Sequence, residues 1–192
     1  MAETPSTFML KPGDLAPAFR LPDPSGRDHA LASLAGPKGL LVVFACNHCP
    51  YVIHLADQLG ELAAQWKEQG IATVAISSND VENYPQDAPD LMAEFATRYG
   101  WDFPYLYDES QEVAKAYGAA CTPDFFLFNA ELKLFYAGQF DDSRPRNGQS
   151  ADGSSLAAAV EALLQGNPAP AALPSTGCNI KWKPGGAPPY FG

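Results

Sequence analysis

Hydrophobic positions along this chain alternate between short continuous runs and longer stretches with helical spacing. The run Leu40 to Phe44 is apolar throughout, which is typical of a strand covered on both faces, and Ile71 to Ile76 forms a second predicted strand. Between them, apolar residues recur every three or four positions. Pro50 is suited to begin this helix and Gly70 to end it. The pattern therefore predicts a strand, a helix and a second strand in succession.

The same alternation continues toward the C-terminus. Apolar spacing predicts helices at Leu91 to Tyr99 and at Leu156 to Leu164, and a shorter helical segment at Glu112 to Tyr117. Phe125 to Phe128 and Leu132 to Ala137 are separated by a short turn, which predicts two adjacent antiparallel strands.

Turn-forming residues near the N-terminus separate Ala16 to Leu21 from Arg27 to Leu31, and this arrangement predicts a β-hairpin. Strands that alternate with helices early in the chain, followed by a late pair of strands, are typical of an α/β fold. We therefore expect a central mixed β-sheet flanked by helices on both faces.

The C-terminal segment has a different composition. From Gly166 onward the chain is rich in Pro and Gly, and no regular element fits it. We divide the chain into a domain at residues 10–166 and an irregular extension at 167–192. Ile180 and Trp182 are apolar anchors that a disordered tail would not require, so we expect the extension to dock against the domain.

Composition and charge restrict the class of partner. The chain has 192 residues, of which 46% are hydrophobic, and this suits one globular domain with a full core. The formal net charge of −10 argues against non-specific binding to nucleic acid or to an anionic membrane. The sequence shows neither a basic leader with an apolar core nor an apolar run long enough to span a membrane. We expect a cytoplasmic protein with small-molecule or protein partners.

Four cysteines carry the candidate chemistry. They are too few and too unevenly spread to form a structural disulfide framework in a chain with ample core. Cys49 directly precedes Pro50, at the predicted start of a helix, where unpaired backbone N–H groups and the positive helix end favour a thiolate. We therefore expect Cys49 to be the nucleophile. Cys46, Cys121 and Cys178 are the candidates for the resolving thiol, and the sequence does not choose among them.

Other residues near these cysteines have open interpretations. Cys121 is also consistent with a core cysteine at the start of a strand. His48 would stabilise a neighbouring thiolate as an imidazolium or shuttle protons, but a solvent-facing loop histidine is equally consistent with its position.

Four segments together carry a resemblance to a known family: Gly13 to Phe19, Cys46 to Val52, Cys121 to Phe126 and Gly177 to Lys183. With them, the chain resembles the thioredoxin-like superfamily in its peroxiredoxin-like branch, which includes alkyl hydroperoxide reductase, thiol-specific antioxidant and redoxin proteins. The resemblance implies a thioredoxin-like fold and a thiol-dependent oxidoreductase with antioxidant-type activity. It also implies that no bound organic cofactor is needed.

The resemblance also assigns roles to particular residues. Pro123 matches the superfamily's cis-proline, and Thr122 would supply backbone contacts to an extended or disulfide-bearing substrate. The chain departs from the peroxiredoxin pattern, which has Pro and Thr seven and three residues before the reactive cysteine. Counting back from Cys49 gives Val42 and Cys46 at these positions.

The leading hypothesis is an oxidoreductase in which the Cys49 thiolate attacks a disulfide or a peroxide. A second cysteine then closes a disulfide, and an external thiol reductant of the thioredoxin or glutathione type reduces it. One alternative is a zinc or copper(I) site that uses Cys46, His48 and Cys49, although the remaining cysteines form no second closely spaced pair, so we expect no bound metal. Another is a non-catalytic interaction module with a thioredoxin fold.

Overall fold

The structure, a computed structural model, describes residues 3–191 of the chain. The strands in chain order are β1 (Glu3–Pro5), β2 (Arg20–Pro22), β3 (Asp28–Ala30), β4 (Gly39–Phe44), β5 (Ile71–Ser77), β6 (Tyr105–Tyr107), β7 (Cys121–Thr122), β8 (Asp124–Asn129), β9 (Leu134–Gly138) and β10 (Thr176–Asn179). The α-helices are α1 (Leu31–Leu34), α2 (Pro50–Glu68), α3 (Pro89–Arg98), α4 (Glu112–Tyr117) and α5 (Ser154–Gln165). A short 3₁₀ helix spans Pro85–Asp87.

A five-stranded mixed sheet forms the centre of the molecule, with strand order β6-β5-β4-β8-β9. β4 runs parallel to β5 and antiparallel to β8, and β9 returns antiparallel beside β8. The expectation of a central mixed sheet flanked by helices is confirmed. β6 was not predicted, because three residues are too few to show a hydrophobic period.

β4 is buried along its whole length, and its side chains alternate between two hydrophobic cores. Leu41 and Val43 belong to the core beneath α2 and α5. Leu40, Val42 and Phe44 belong to the core on the opposite face, which also contains the hairpin and α4. Because both faces are covered, an uninterrupted apolar run is the sequence pattern that this strand requires.

The predicted helices and the N-terminal hairpin are confirmed. α2 begins at Pro50, and α3, α4 and α5 cover the three other segments with helical spacing. β2 and β3 pair antiparallel. None of the helices within residues 3–191 has the length and apolar character of a membrane-crossing segment.

The C-terminal extension docks as expected, but it is not irregular throughout. Its strand β10 lies between β1 and β7 in a small antiparallel sheet. Ile180 is 1% exposed in the second core, and Trp182 packs against that core. Local composition could not indicate β10, since both of its partner strands are distant in sequence.

Candidate active site

The loop between β4 and α2 carries Cys46 and Cys49. Cys49 is the N-cap residue of α2, with extended backbone angles (φ −70°, ψ 120°), and Pro50 follows in the first helical turn. An N-cap side chain faces the unpaired N–H groups of the first turn, and the backbone N–H of Val52 is one of the groups that lower the pKa of Cys49. The sulfur therefore occupies the position where a helix stabilises negative charge.

The Thr122–Pro123 peptide bond is cis, as the resemblance implies, and this segment faces the cysteine loop. The Cys49 sulfur lies 3.1 Å from the Thr122 carbonyl oxygen. Cys46 Sγ lies 3.4 Å from the Thr122 hydroxyl oxygen. The fold thus brings the predicted nucleophile, Cys46 and the cis-proline segment into contact.

The backbone of this segment is not open to solvent, because β10 pairs with it. Cys178 lies opposite Thr122 and Asn179 lies opposite Cys121. A Cβ at Gly177 would overlap the Thr122 carbonyl group, so only glycine permits this close approach. The expected contact between Thr122 and an extended substrate is therefore replaced, in this structure, by a contact with the protein's own tail.

The four thiols differ in their protonation. Hydrogen bonds from the thiols of Cys178 and Cys46 hold the pKa of Cys49 far below its ordinary value and outweigh burial, which raises it. Burial raises the pKa of Cys46 and of Cys121 well above the ordinary value. The hydrogen bond to Cys49, followed by burial and by the negative charge of Cys49, raises the pKa of Cys178. Cys49 therefore has the lowest pKa of the four cysteines, and its surroundings favour the thiolate form.

Cys121 lies beside the site but points elsewhere. Its thiol is fully buried and donates to the Pro123 carbonyl oxygen at 3.6 Å. Next to it lies Asp124, which is also buried and accepts a hydrogen bond from Ser6 at 2.9 Å. Burial raises the pKa of Asp124 to about 7. The predicted role of Cys121 as a resolving thiol stays a prediction.

His48 is fixed by a carboxylate that sequence reasoning missed. Its Nδ1 atom lies 2.7 Å from Oδ2 of the fully buried Asp87. Asp87 also accepts from the backbone N–H groups of Asn47 and His48 and from the Asn79 side chain. Asp87 ends the short 3₁₀ helix between β5 and α3, about forty residues from the cysteines, where no local pattern distinguishes it. It fixes the loop that carries both cysteines.

A group of possible metal ligands lies in the same place. Donor atoms of Cys46, His48 and Asp87 all lie within 4.8 Å of one another. Both Asp87 oxygens already accept hydrogen bonds from N–H groups, and the Cys46 sulfur contacts the Thr122 hydroxyl. A metal ion would have to displace these contacts.

A cleft of about 480 Å³ opens beside the thiols. Its lining residues include Glu3, Pro50, Tyr51, Arg144, Arg146 and Cys178. The Arg144 guanidinium donates to the carbonyl oxygens of Asp141 and Ser143 and to the Gln139 side chain, which holds its loop at the cleft wall. Cys178 is the cysteine that reaches this cleft.

Comparisons with known proteins identify the family of this chain. A family model described as Redoxin matches residues 11–154. An uncharacterized conserved protein from Geobacillus kaustophilus has a solved structure that is 48% identical, with a TM-score of 0.92 over 96% of this chain and 98% of that chain. The thiol-disulfide oxidoreductase ResA of Halalkalibacterium halodurans is 30% identical over 63% of this chain and 64% of ResA, so the chain spans less than two thirds of that relative.

A further relative is the peroxiredoxin Bcp of Escherichia coli (strain K12), which is 27% identical over 72% of this chain and 90% of Bcp. Solved structures at 21% and 22% identity share the thioredoxin-like fold, with TM-scores of 0.61 and 0.64. Since the family model covers most of the chain, including both cysteines of the loop before α2, this protein belongs to the Redoxin family and has its thioredoxin-like fold.

Proposed function

We propose that this protein is a thiol-dependent oxidoreductase in which the Cys49 thiolate attacks a disulfide or a peroxide. One observation carries the proposal: Cys49 is the N-cap residue of α2, and its sulfur lies 3.1 Å from the carbonyl oxygen of the residue before cis-Pro123, with its pKa lowered by neighbouring thiols. Relatives named as a thiol-disulfide oxidoreductase and as a peroxiredoxin support the same chemistry.

The reaction begins when the thiolate attacks one sulfur of a substrate disulfide. A mixed disulfide forms on Cys49 and one substrate thiolate leaves. A second cysteine of the protein then attacks the Cys49 sulfur, which releases the other half of the substrate as a thiol. An external thiol reductant of the thioredoxin or glutathione type returns the protein to its dithiol form.

Thiol-disulfide exchange is the substrate chemistry that the geometry favours. Two thiols already contact the attacking sulfur, so a disulfide can close within the site. Val42 and Cys46 occupy the positions where the peroxiredoxin pattern has Pro and Thr. The Arg144 guanidinium is directed toward its own loop. Peroxide reduction, the antioxidant activity, is therefore the second candidate.

Two other functions receive less support. The donors of Cys46, His48 and Asp87 could approach a metal ion, but they already have hydrogen-bond partners. A non-catalytic interaction module would give no reason for a thiolate at the start of a helix. We also propose a cytoplasmic location, because four free thiols suit a reducing compartment.

Stopped-flow kinetics of the reduced protein test this proposal. The wild type and the Cys49→Ser variant are mixed separately with hydrogen peroxide and with a small aromatic disulfide. We expect the wild type to react with the disulfide much faster than a free thiol, and the variant to lose this phase. Equal rates for the two proteins would exclude Cys49 as the nucleophile, and a faster reaction with peroxide would favour the peroxidase.

A further inference from the structure

The register of the small sheet places Cys178 beside the attacking cysteine. Cys178 lies directly opposite Thr122, and the Thr122 carbonyl oxygen lies 3.1 Å from the Cys49 sulfur. Side chains of facing residues in such a ladder are close neighbours, about 4.5 to 5.5 Å apart at Cβ. The two cysteines therefore meet at one residue, although they are separated by most of the chain.

We infer that Cys178 is the cysteine that resolves Cys49, and that β10 presents it where a disulfide-bearing strand of a substrate would pair with the segment before cis-Pro123. This inference rests on the proposed function and names the partner that the proposal leaves open. Under this inference Cys46 and Cys49, which are three positions apart in the sequence, do not form the redox pair, and Cys46 is only a neighbour of the site.

The strand that carries Cys178 is fixed on both sides of it. Before Cys178, Gly177 allows the chain to lie directly against the Thr122 carbonyl group. After it, the Ile180 N–H donates to the Ala120 carbonyl oxygen at 3.1 Å, and the Lys181 N–H donates to the Asn79 side chain at 2.8 Å. A thiol held in this way meets the Cys49 sulfur without an entropic cost of loop closure.

The protonation of the two candidate partners also favours Cys178. The largest cause that raises the pKa of Cys178 is its hydrogen bond to Cys49, and the charge of Cys49 contributes as well. Both causes vanish once Cys49 is bonded to sulfur or oxygen, so the pKa of Cys178 falls when a second nucleophile is needed. For Cys46 the largest cause is burial, which oxidation of Cys49 does not relieve, and its hydrogen bond to Cys49 is the smaller cause.

The electrons and protons balance for either substrate. With a disulfide, Cys49 forms a mixed disulfide and one substrate thiolate leaves. Cys178 then attacks the Cys49 sulfur, its proton passes to the second leaving thiolate, and the Cys49–Cys178 bond forms. With a peroxide, the Cys49 thiolate attacks the terminal oxygen, the O–O bond breaks, the alkoxide or hydroxide leaves and takes up a proton, and Cys49 becomes a sulfenic acid. Attack by Cys178 on the Cys49 sulfur then forms the disulfide and releases water. Two thiols are oxidised and one substrate bond is reduced in each case.

The cleft gives Cys178 a further role in the return step. Cys178 lines the cleft and keeps 2% of its surface exposed, whereas Cys49 has none. An external thiolate would therefore attack the Cys178 sulfur and release Cys49, whose low pKa makes it the better leaving group.

Disulfide mapping of the wild-type protein tests the inference. The reduced protein is treated with one equivalent of 5,5′-dithiobis(2-nitrobenzoate), the remaining thiols are blocked, and the protein is digested with trypsin. Trypsin separates the candidates into three peptides: Cys46 with Cys49 in residues 39–67, Cys121 in 116–133 and Cys178 in 147–181. We expect a crosslink between the first and the third peptides. A disulfide within residues 39–67, or a crosslink to 116–133, would overturn the inference.

Two matched variants provide the kinetic control. In Cys178→Ser the protein should release one equivalent of nitrothiobenzoate where the wild type releases two, and the mixed disulfide should persist on Cys49. In Cys46→Ser the crosslink between residues 39–67 and 147–181 should persist. If Cys46→Ser instead releases one equivalent and Cys178→Ser releases two, Cys46 is the partner. Circular dichroism establishes that each variant is folded. The disulfide map of the wild type tests the inference even if neither variant folds.

The outcome also separates this inference from the proposed function. If Cys49 takes up no reagent in the wild type, the oxidoreductase proposal fails and the inference fails with it. If Cys49 reacts but its partner is Cys46 or Cys121, or if its mixed disulfide persists in the wild type, only the assignment of Cys178 is wrong.

Discussion

The Cys49 sulfur lies 3.1 Å from the carbonyl oxygen of Thr122, and this contact joins the start of α2 to the cis-proline segment. Thr122 also contacts Cys46 through its hydroxyl group and pairs with Cys178 through its backbone. Three of the four thiols therefore depend on one residue for their placement.

Cys49 should ionise at a lower pH than any other cysteine of the folded protein. Hydrogen bonds from Cys178 and Cys46 lower its pKa, so its thiolate persists below the usual ~8.5. The ultraviolet absorbance of the thiolate, recorded between about pH 5 and pH 9, measures this directly. The low-pH signal should be absent from Cys49→Ser and present in Cys121→Ser. A first ionisation near pH 8.5 would contradict the assigned environment.

Removal of the Cys178 thiol should raise the pKa of Cys49. The Cys178 hydrogen bond is the largest cause of the lowered pKa, and Cys178→Ala removes it without replacement. Cys178→Ser keeps a donor and should have the smaller effect. The same absorbance titration measures both variants. An unchanged pKa in Cys178→Ala would show that the Cys178 thiol does not stabilise the thiolate.

Gly177 should be intolerant of a methyl group. A Cβ at this position would overlap the Thr122 carbonyl group, so Gly177→Ala must move β10 away from β7. We expect disulfide closure between Cys49 and its partner to slow by on the order of tenfold to a hundredfold, since small displacements of reacting groups have such effects. Stopped-flow release of nitrothiobenzoate measures the rate.

Gly186→Ala is the matched control for this substitution, because Gly186 lies in the same extension and a Cβ there approaches the Lys183 carbonyl oxygen no closer than 3.2 Å. It should leave the closure rate nearly unchanged. Equal effects of the two substitutions would mean that any change in the extension slows disulfide closure, and that the contact between Gly177 and Thr122 has no special effect on the rate.

The sequence predicts those parts of this molecule that local patterns specify. The full burial of β4 requires an uninterrupted apolar run, and Pro50 marks the first turn of α2, so both elements and the placement of Cys49 follow from a few neighbouring residues. The cis bond at Pro123 follows only from the family resemblance, because nothing local requires it.

The parts that the sequence does not predict depend on distant partners. β10 is a strand because β1 and β7 pair with it, and neither lies near it in sequence. Asp87 is one of several acidic residues in polar loops, and only the fold brings it to His48. For the same reason, the sequence makes Cys178 the least favoured of three candidates, since its role requires the tail to fold back, whereas the structure places it opposite Thr122.

Asp87 should be essential to the stability of the cysteine loop. It is fully buried and accepts hydrogen bonds from two backbone N–H groups and two side chains. Asp87→Ala would leave these donors unpaired, and we expect the free energy of unfolding to fall by about 3 to 5 kcal/mol. Urea denaturation measures the change. The exposed Asp57→Ala serves as the control, and a similar small loss for both variants would refute this role.

Asp124 should make the stability of the protein depend on pH in the acidic range. Burial raises its pKa from 3.8 to about 7, so between these values the folded protein binds a proton that the unfolded chain has lost. The stabilisation from this group is therefore fully present below about pH 4 and is lost as the pH rises to about 7. The difference corresponds to roughly 4 kcal/mol at about 1.4 kcal/mol per pKa unit.

Asp124→Asn removes this titration and keeps an oxygen that can accept from Ser6. Relative to the wild type, the variant should therefore gain in free energy of unfolding as the pH rises from about 4 to about 7, since only the wild type then carries a buried charge. Urea denaturation at several pH values measures the difference between the two proteins, and the exposed Asp28→Asn is the control. A difference that stays constant across this range would show that Asp124 is ionised throughout, with enough hydrogen bonding to offset its burial.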